Sequence, residues 1–192
     1  IGIIPLGTAN DLATQLHIPS NIKDAIGIIS SGFTRNIDLG KVNGHYFINN
    51  SAIGLETEVT LANERMTKVQ GPLRYLLAAI LTILKRPSWQ TNLVWNNSEY
   101  SGSLTLVSVG NSNRTGGMFY MTPNAIVDDG KLDFIYAPEL TRREMFRLLP
   151  QTLNGSHISN SAIHEHRTSP LQINCDPPTT IQADGEIFSA AT

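Results

Sequence analysis

Three short stretches gather residue types that could do chemistry. In PLGTAND, Gly7 stands beside Thr8, Asn10 and Asp11. Gly7 lets a backbone approach a ligand closely and Thr8 offers a hydroxyl. A helix N-terminus after them would present free N–H groups and a positive dipole end to an anion such as phosphate. A turn followed by an N-cap accounts for the same letters. In IVDDGKLD, Asp128, Asp129 and Asp133 surround Gly130. Such an oxygen-rich turn can hold a hard cation, whereas a plain β-turn leading into a strand needs no ligand. The two are compatible, because turn carbonyls are what a cation would use. In ADGE, Asp184 and Glu186 flank Gly185, and either carboxylate could accept a proton from a substrate hydroxyl. A hairpin turn with acidic residues is the plainer account. His164 and His166 alternate around Glu165 but have no third ligand spaced near them, so they read as an exposed loop. The chain contains no Gly-x-Ser-x-Gly elbow, no cysteine pair for zinc and no Walker lysine.

These stretches need elements to position them. The opening IGII, followed by Pro5 and Gly7, predicts a buried strand, a turn and a helix start. A buried strand needs neighbours on both sides, so the chain is expected to be a fragment. Residues 10–17 predict a helix capped by Thr8 or Asn10. SNIKDAIGIISSG places Ile22, Ala25, Ile26 and Ile29 on one helical face, with Ser20 as N-cap and Gly32 as the stop. From Arg35 onward, short strand-like pieces such as HYFINN, TNLVW, SLTLVSVGN, KLDFIYA, LQINC and TTIQA alternate with Asn, Gly, Asp and Pro turns, which predicts a β-sandwich.

Two helices are expected to interrupt the strands. The first starts at Pro72, is apolar nearly all round over 73–84, and stops at Lys85, Arg86 and Pro87. At about 1.5 Å per residue its apolar body covers about 18 Å, short of a bilayer core near 30 Å, so it does not span a membrane. It reads as a packed core helix, or as one with a face that also touches lipid. The second, TRREMFRLLPQTL, begins with a capping box between Thr141 and Glu144 and presents Arg142, Arg143 and Arg147. That basic face is either solvated or drawn to anionic headgroups.

Composition narrows the class. The 192 residues are 41% hydrophobic and 16% charged with a net charge of -2, which fits a globular protein and lacks the basic excess of a nucleic-acid binder. The one cysteine, Cys175, cannot form an internal disulfide, and a reducing cytoplasm fits best.

Taken in order, PLGTANDLA, GGMFYMTPNAIVDDGKLD and ADGE resemble the diacylglycerol kinase catalytic-domain family, particularly its bacterial soluble YegS/BmrU-like lipid kinases. NIDLGKVNGHYFINNSAIGLETEV is similar to that family's entry into its β domain, and GPLRYLLAAI to the helix that follows. The resemblance implies a mainly β, α+β chain. Residues 1–34 would be the remnant of a Rossmann-like nucleotide domain, and 35–192 an antiparallel β-sandwich whose end can return to the first domain. It implies ATP-dependent phosphorylation of a lipid hydroxyl such as that of diacylglycerol, with peripheral membrane contact. Gly7, Thr8, Asn10 and Asp11 would lie at the nucleotide, Asp129 with the carbonyls of Ile126 and Lys131 would hold Mg²⁺, and Glu186 or Asp184 would be the base. A GGDGT loop is expected upstream, in about 50 to 100 further residues, so the chain as given is expected to be inactive by itself. The alternatives are an NAD kinase-like enzyme and a non-catalytic lipid-binding β module.

Overall fold

The computed structural model describes residues 1–66 and 71–189. Within them the alternating stretches form β1 (Gly40–Val42), β2 (His45–Phe47), β3 (Asn50–Gly54), β4 (Trp89–Trp95) and β5 (Ser98–Gly110). They are followed by β6 (Leu132–Pro138), β7 (His164–Thr168), β8 (Leu171–Asp176), β9 (Thr180–Ala183) and β10 (Glu186–Ser189). Every pairing among them is antiparallel. β1 and β2 make a small hairpin, while the main sheet runs β10-β9-β3-β5-β4-β8, with β6 and β7 branching from β5.

The long β5 organises this sheet. Its first half pairs with β4, and its second half lies between β3 and β6. The register with β6 slips between Leu104 and Leu106. An extra residue there turns the side chains of one strand half relative to the other, so Leu104 and Val107 share the sandwich interior while Leu106 faces out. The interior is closed by Ile53, Leu93, Trp95, Phe134, Tyr136 and Ile181. The outer face of β6, through Ile135 and Ala137, is covered by helices. Burial on both faces explains why residues 134–137 are apolar without alternation.

The helices are α1 (Asp11–Gln15), α2 (Ile22–Ser30), α3 (Leu55–Arg65), α4 (Pro72–Lys85) and α5 (Arg142–Thr152). α5 starts as expected: Glu144 Oε2 accepts from the Thr141 N–H at 2.8 Å, and the Glu144 N–H donates to Thr141 Oγ1 at 3.3 Å. α4 buries Ala78, Ala79, Thr82 and Ile83, but leaves Leu73, Leu77, Leu81 and Leu84 exposed. It is therefore packed on one side rather than all round.

Several expectations are corrected. Residues 1–5 form no strand, and Ile1 and Ile4 are exposed, because no other described strand lies beside them to satisfy a ladder. α1 has only five residues and no side-chain cap, since Asn10 sits in the left-handed region at φ 51°. Asn21, not Ser20, caps α2 by accepting from the Lys23 N–H at 2.9 Å. Of the apolar positions named on α2, only Ala25 is buried. His164 and His166 belong to a half-buried strand rather than an exposed loop, and their rings stack on Tyr136 at 4.8 and 5.8 Å. α3 was not anticipated. No described helix is long and apolar enough to cross a membrane.

Candidate functional site

The opening segment lies against the β9–β10 hairpin across a cleft of about 310 Å³, which is lined by Asn10, Asp11, Asn49, Asn50, Asp184 and Gly185 among others. Two of the three stretches singled out from sequence thus meet here. Gly7 donates its N–H to Asn10 Oδ1 at 2.9 Å, and Asn10 Nδ2 returns a bond to the Gly7 carbonyl at 2.7 Å. Asn10 therefore locks the turn. Thr8 is exposed. Asp11 is buried and accepts from Arg114 Nε at 3.0 Å and from the Gly117 N–H at 3.1 Å. Burial pushes its carboxyl up, opposed by the Gly117 N–H and the Arg114 guanidinium. Gly117, at φ 81°, approaches Ala9 so closely that a Cβ would lie 3.3 Å from the Ala9 Cα, which ties the sandwich to the opening segment.

Asp184 and Glu186 stand in different surroundings. Asp184, in the left-handed region at φ 49°, accepts from the N–H groups of Ile48 at 2.7 Å, Asn49 at 2.8 Å and Asn50 at 3.0 Å. Both its oxygens are thereby engaged in holding the β2–β3 corner. Glu186 opens β10, is exposed, and makes no side-chain hydrogen bond among the described residues. Gly185 in between donates its N–H to Gln182 Oε1 at 3.0 Å.

The third stretch lies elsewhere, tied to the strap ahead of β1. Arg35 contacts Asp128 at 2.7 Å, and the Gly130 N–H donates to Asp38 Oδ2 at 2.7 Å. Asp129 Oδ1 accepts from the Lys131 N–H at 3.1 Å, while its Oδ2 lies 3.2 Å from Arg167 Nη1. The same guanidinium pairs with Asp133 at 3.0 Å, and burial drives the Asp133 carboxyl up against that pairing. Ile126 is exposed at the edge of the turn. Among the described residues, His, Cys, Asp and Glu side chains form no group of three or more that could hold a metal.

Behind the cleft lies an apolar cavity of about 100 Å³ that no sequence motif pointed to. Its walls come from α3, α4, α5 and the outer face of the sheet, including Val59, Ala79, Ile83, Ile135, Met145 and Leu148. Cavity and cleft share Thr60, Tyr75, Thr115 and Gly116. One acidic side chain lies on the cavity wall: Glu56, in the first turn of α3. Its Oε1 accepts from Asn50 Nδ2 at 2.6 Å and Gln182 Nε2 at 3.5 Å, whereas Oε2 is sealed from solvent and has no partner. Burial pushes its carboxyl up to about 7, opposed by the nearby Ser108 hydroxyl, the Asn50 amide and the nearby Thr115 hydroxyl. The available signal was Leu-Glu-Thr-Glu directly after a buried strand, where an acidic residue in a first helical turn is ordinarily read as a dipole partner.

Two family models match the chain. Residues 50–192 match the YegS C-terminal NAD kinase beta sandwich-like domain, and residues 1–42 match the diacylglycerol kinase catalytic domain. The diacylglycerol kinase of Staphylococcus haemolyticus (strain JCSC1435) is 28% identical over 97% of this chain and 57% of its own length. That of Staphylococcus aureus (strain JH9) is 26% identical over 97% and 59%. This chain thus spans less than two thirds of these curated relatives. A crystal structure of a diacylglycerol kinase from Bacillus anthracis str. Sterne superposes with a TM-score of 0.75 at 25% identity, over 95% of this chain and 60% of the other. A second structure from that strain gives 0.79 at 26% identity, over 98% and 62%. By its sandwich, by the match over residues 50–192 and by these relatives, the chain belongs to the diacylglycerol kinase-like YegS family.

Proposed function

We propose that this chain is the lipid-receiving part of an ATP-dependent kinase that phosphorylates a lipid hydroxyl such as that of diacylglycerol. The observation that carries this reading is the apolar cavity adjoining a polar cleft through Thr60, Tyr75, Thr115 and Gly116. Hydrocarbon gains free energy by leaving water for such a cavity, at about 25 cal/mol per Å² of apolar surface, while a hydroxyl at its mouth reaches polar groups. A volume of about 100 Å³ takes a few methylenes, so a full acyl chain requires α4 and α5 to part.

On this reading the nucleotide approaches the side of the cleft formed by 7–11. Asn10 and Asp11 are already bonded to Gly7, Arg114 and Gly117, so they shape the loop, and the exposed Thr8 is the group left to face a phosphate. Asp184 fixes the hairpin, and Glu186 has the unbonded carboxylate that accepts the hydroxyl proton. Mg²⁺, when bound, neutralises negative charge. The acidic turn suits a hard cation in donor chemistry, and the ion would share Asp129 with Arg167 and take carbonyl oxygens from Ile126 and Lys131.

A membrane supplies such a substrate. The exposed Leu73, Leu77, Leu81 and Leu84 form one stripe on α4, with Phe146 exposed on α5 and Lys85, Arg143 and Arg147 exposed on the same two helices. This face fits peripheral contact with anionic lipid, and both helices also wall the cavity. The test is ATP-dependent phosphorylation of diacylglycerol by the full-length protein and its Ala79→Phe variant. Ala79 is buried on the cavity wall, so the added ring should raise KM for lipid with little change in KM for ATP. Equal lipid kinetics in both, or NAD as the preferred acceptor, would overturn the proposal.

A further inference from the structure

Glu56 has one carboxyl oxygen, Oε2, that neither an ion pair nor solvent satisfies. Its Oε1 already accepts from Asn50 and Gln182, so that oxygen remains an acceptor and any proton on the carboxyl resides on Oε2. Oε2 is sealed and forms no hydrogen bond, although the buried and likewise unpaired Ser108 hydroxyl lies near the carboxyl, and it belongs to the one acidic side chain on an otherwise mainly apolar wall. A buried polar atom without a partner is costly, and such atoms are rare unless something else completes them. Here the open neighbour is the cavity itself, at the end that shares Thr115 and Gly116 with the cleft.

We propose that Glu56 recognises the polar linkage of the bound lipid, with Oε2 donating a hydrogen bond to a hydroxyl or ester oxygen whose hydrocarbon lies in the cavity. This rests on the lipid reading above and adds a specificity determinant to it. A bare hydrocarbon leaves Oε2 unpaired, whereas an oxygenated lipid completes it, so the site discriminates by chemistry as well as by shape.

The donor exists only while the carboxyl is protonated, and burial keeps it so up to about pH 7. The ionisable groups facing it are Asp11 with its partner Arg114, Tyr75 from α4, and His157 on the cavity wall. Burial lowers the imidazole of His157, which therefore stays neutral over the upper part of the range. Binding of oxygenated lipid should weaken as pH rises through about 7.

The test is equilibrium binding of dioctanoylglycerol to the purified protein between about pH 6 and pH 8.5. The wild type should lose about 30-fold in affinity across that range, the ratio of protonated fractions for a carboxyl near 7. Glu56→Gln keeps a donor at every pH and should vary less than about twofold. Wild-type binding that is tight and independent of pH overturns the role of Glu56 while leaving the lipid cavity intact. An equal pH dependence in Glu56→Gln overturns it too, by moving the titration to another group. No binding by wild type at any pH overturns the lipid reading and this inference together. Should Glu56→Gln fail to fold, the wild-type profile alone decides.

Discussion

Replacing Glu56 with Gln should stabilise the protein at about pH 8 and leave it nearly unchanged at about pH 4. The carboxyl has an ordinary value of 4.5 and is carried to about 7 in the fold. Between those values the native state holds a proton that the unfolded chain has released, so stability falls as pH rises and levels off above about 7. At about 1.4 kcal/mol for each tenfold change in proton affinity, the full penalty is about 3 kcal/mol. Gln keeps the shape and an acceptor for Asn50, and carries no charge to bury. Urea unfolding of both proteins, followed by circular dichroism at several pH values, gives the difference directly, and every other titrating group cancels in it. The gain from Glu56→Gln should grow from near zero to about 3 kcal/mol across that interval. A difference that does not change with pH would refute the burial argument, because an ionised and solvated Glu56 carries no such penalty.

Further outcomes follow from the site. Asp184→Ala should cost about 2 kcal/mol by freeing three backbone N–H groups, whereas Glu186→Gln should alter stability by less than about 0.5 kcal/mol yet reduce turnover of the full-length enzyme by about 10² or more; thermal unfolding and kcat separate the two roles. Arg114→Ala should destabilise by about 3 kcal/mol, since it strands the buried Asp11 carboxylate, and the loss should shrink at low pH where Asp11 is protonated. Mg²⁺ should raise the melting temperature of the wild type and not that of Asp129→Ala; an equal rise in both removes the cation from this turn. Leu77→Glu with Leu81→Glu should abolish sedimentation with anionic vesicles without unfolding the protein, and wild-type sedimentation should weaken with salt.

How much of this was legible in the sequence depends on where each signal resides. Strand 132–138 was visible because turn residues bracket it and Phe134, Ile135 and Tyr136 fill it, and 171–176 because its apolar and polar residues alternate. The α5 start was visible because a capping box is a local pattern. IGII failed as a strand because a ladder needs a partner, which local letters cannot supply. α3 was missed because LETEVTLANER has Thr and Asn on its buried side, through Thr57, Thr60 and Asn63, and so lacks an apolar stripe. The meeting of Asn10 and Asp11 with Asp184 joins residues more than 170 positions apart, and only the fold brings them to one cleft. Glu56 was overlooked for a related reason. Its surroundings come from β3, β5, β9 and the loop at Thr115, so its burial could not be read from its neighbours in sequence.

The most direct test of the central claim is photolabelling of the protein with a diacylglycerol carrying a diazirine on one acyl chain, followed by mapping of the labelled residues. Labels should fall on the cavity walls contributed by α3, α4 and α5, at Val59, Ala79, Met145 and Leu149, and Ala79→Phe should suppress them. Labelling of the sandwich interior around Val107 and Ile173, with the helical walls unmarked, would contradict the account.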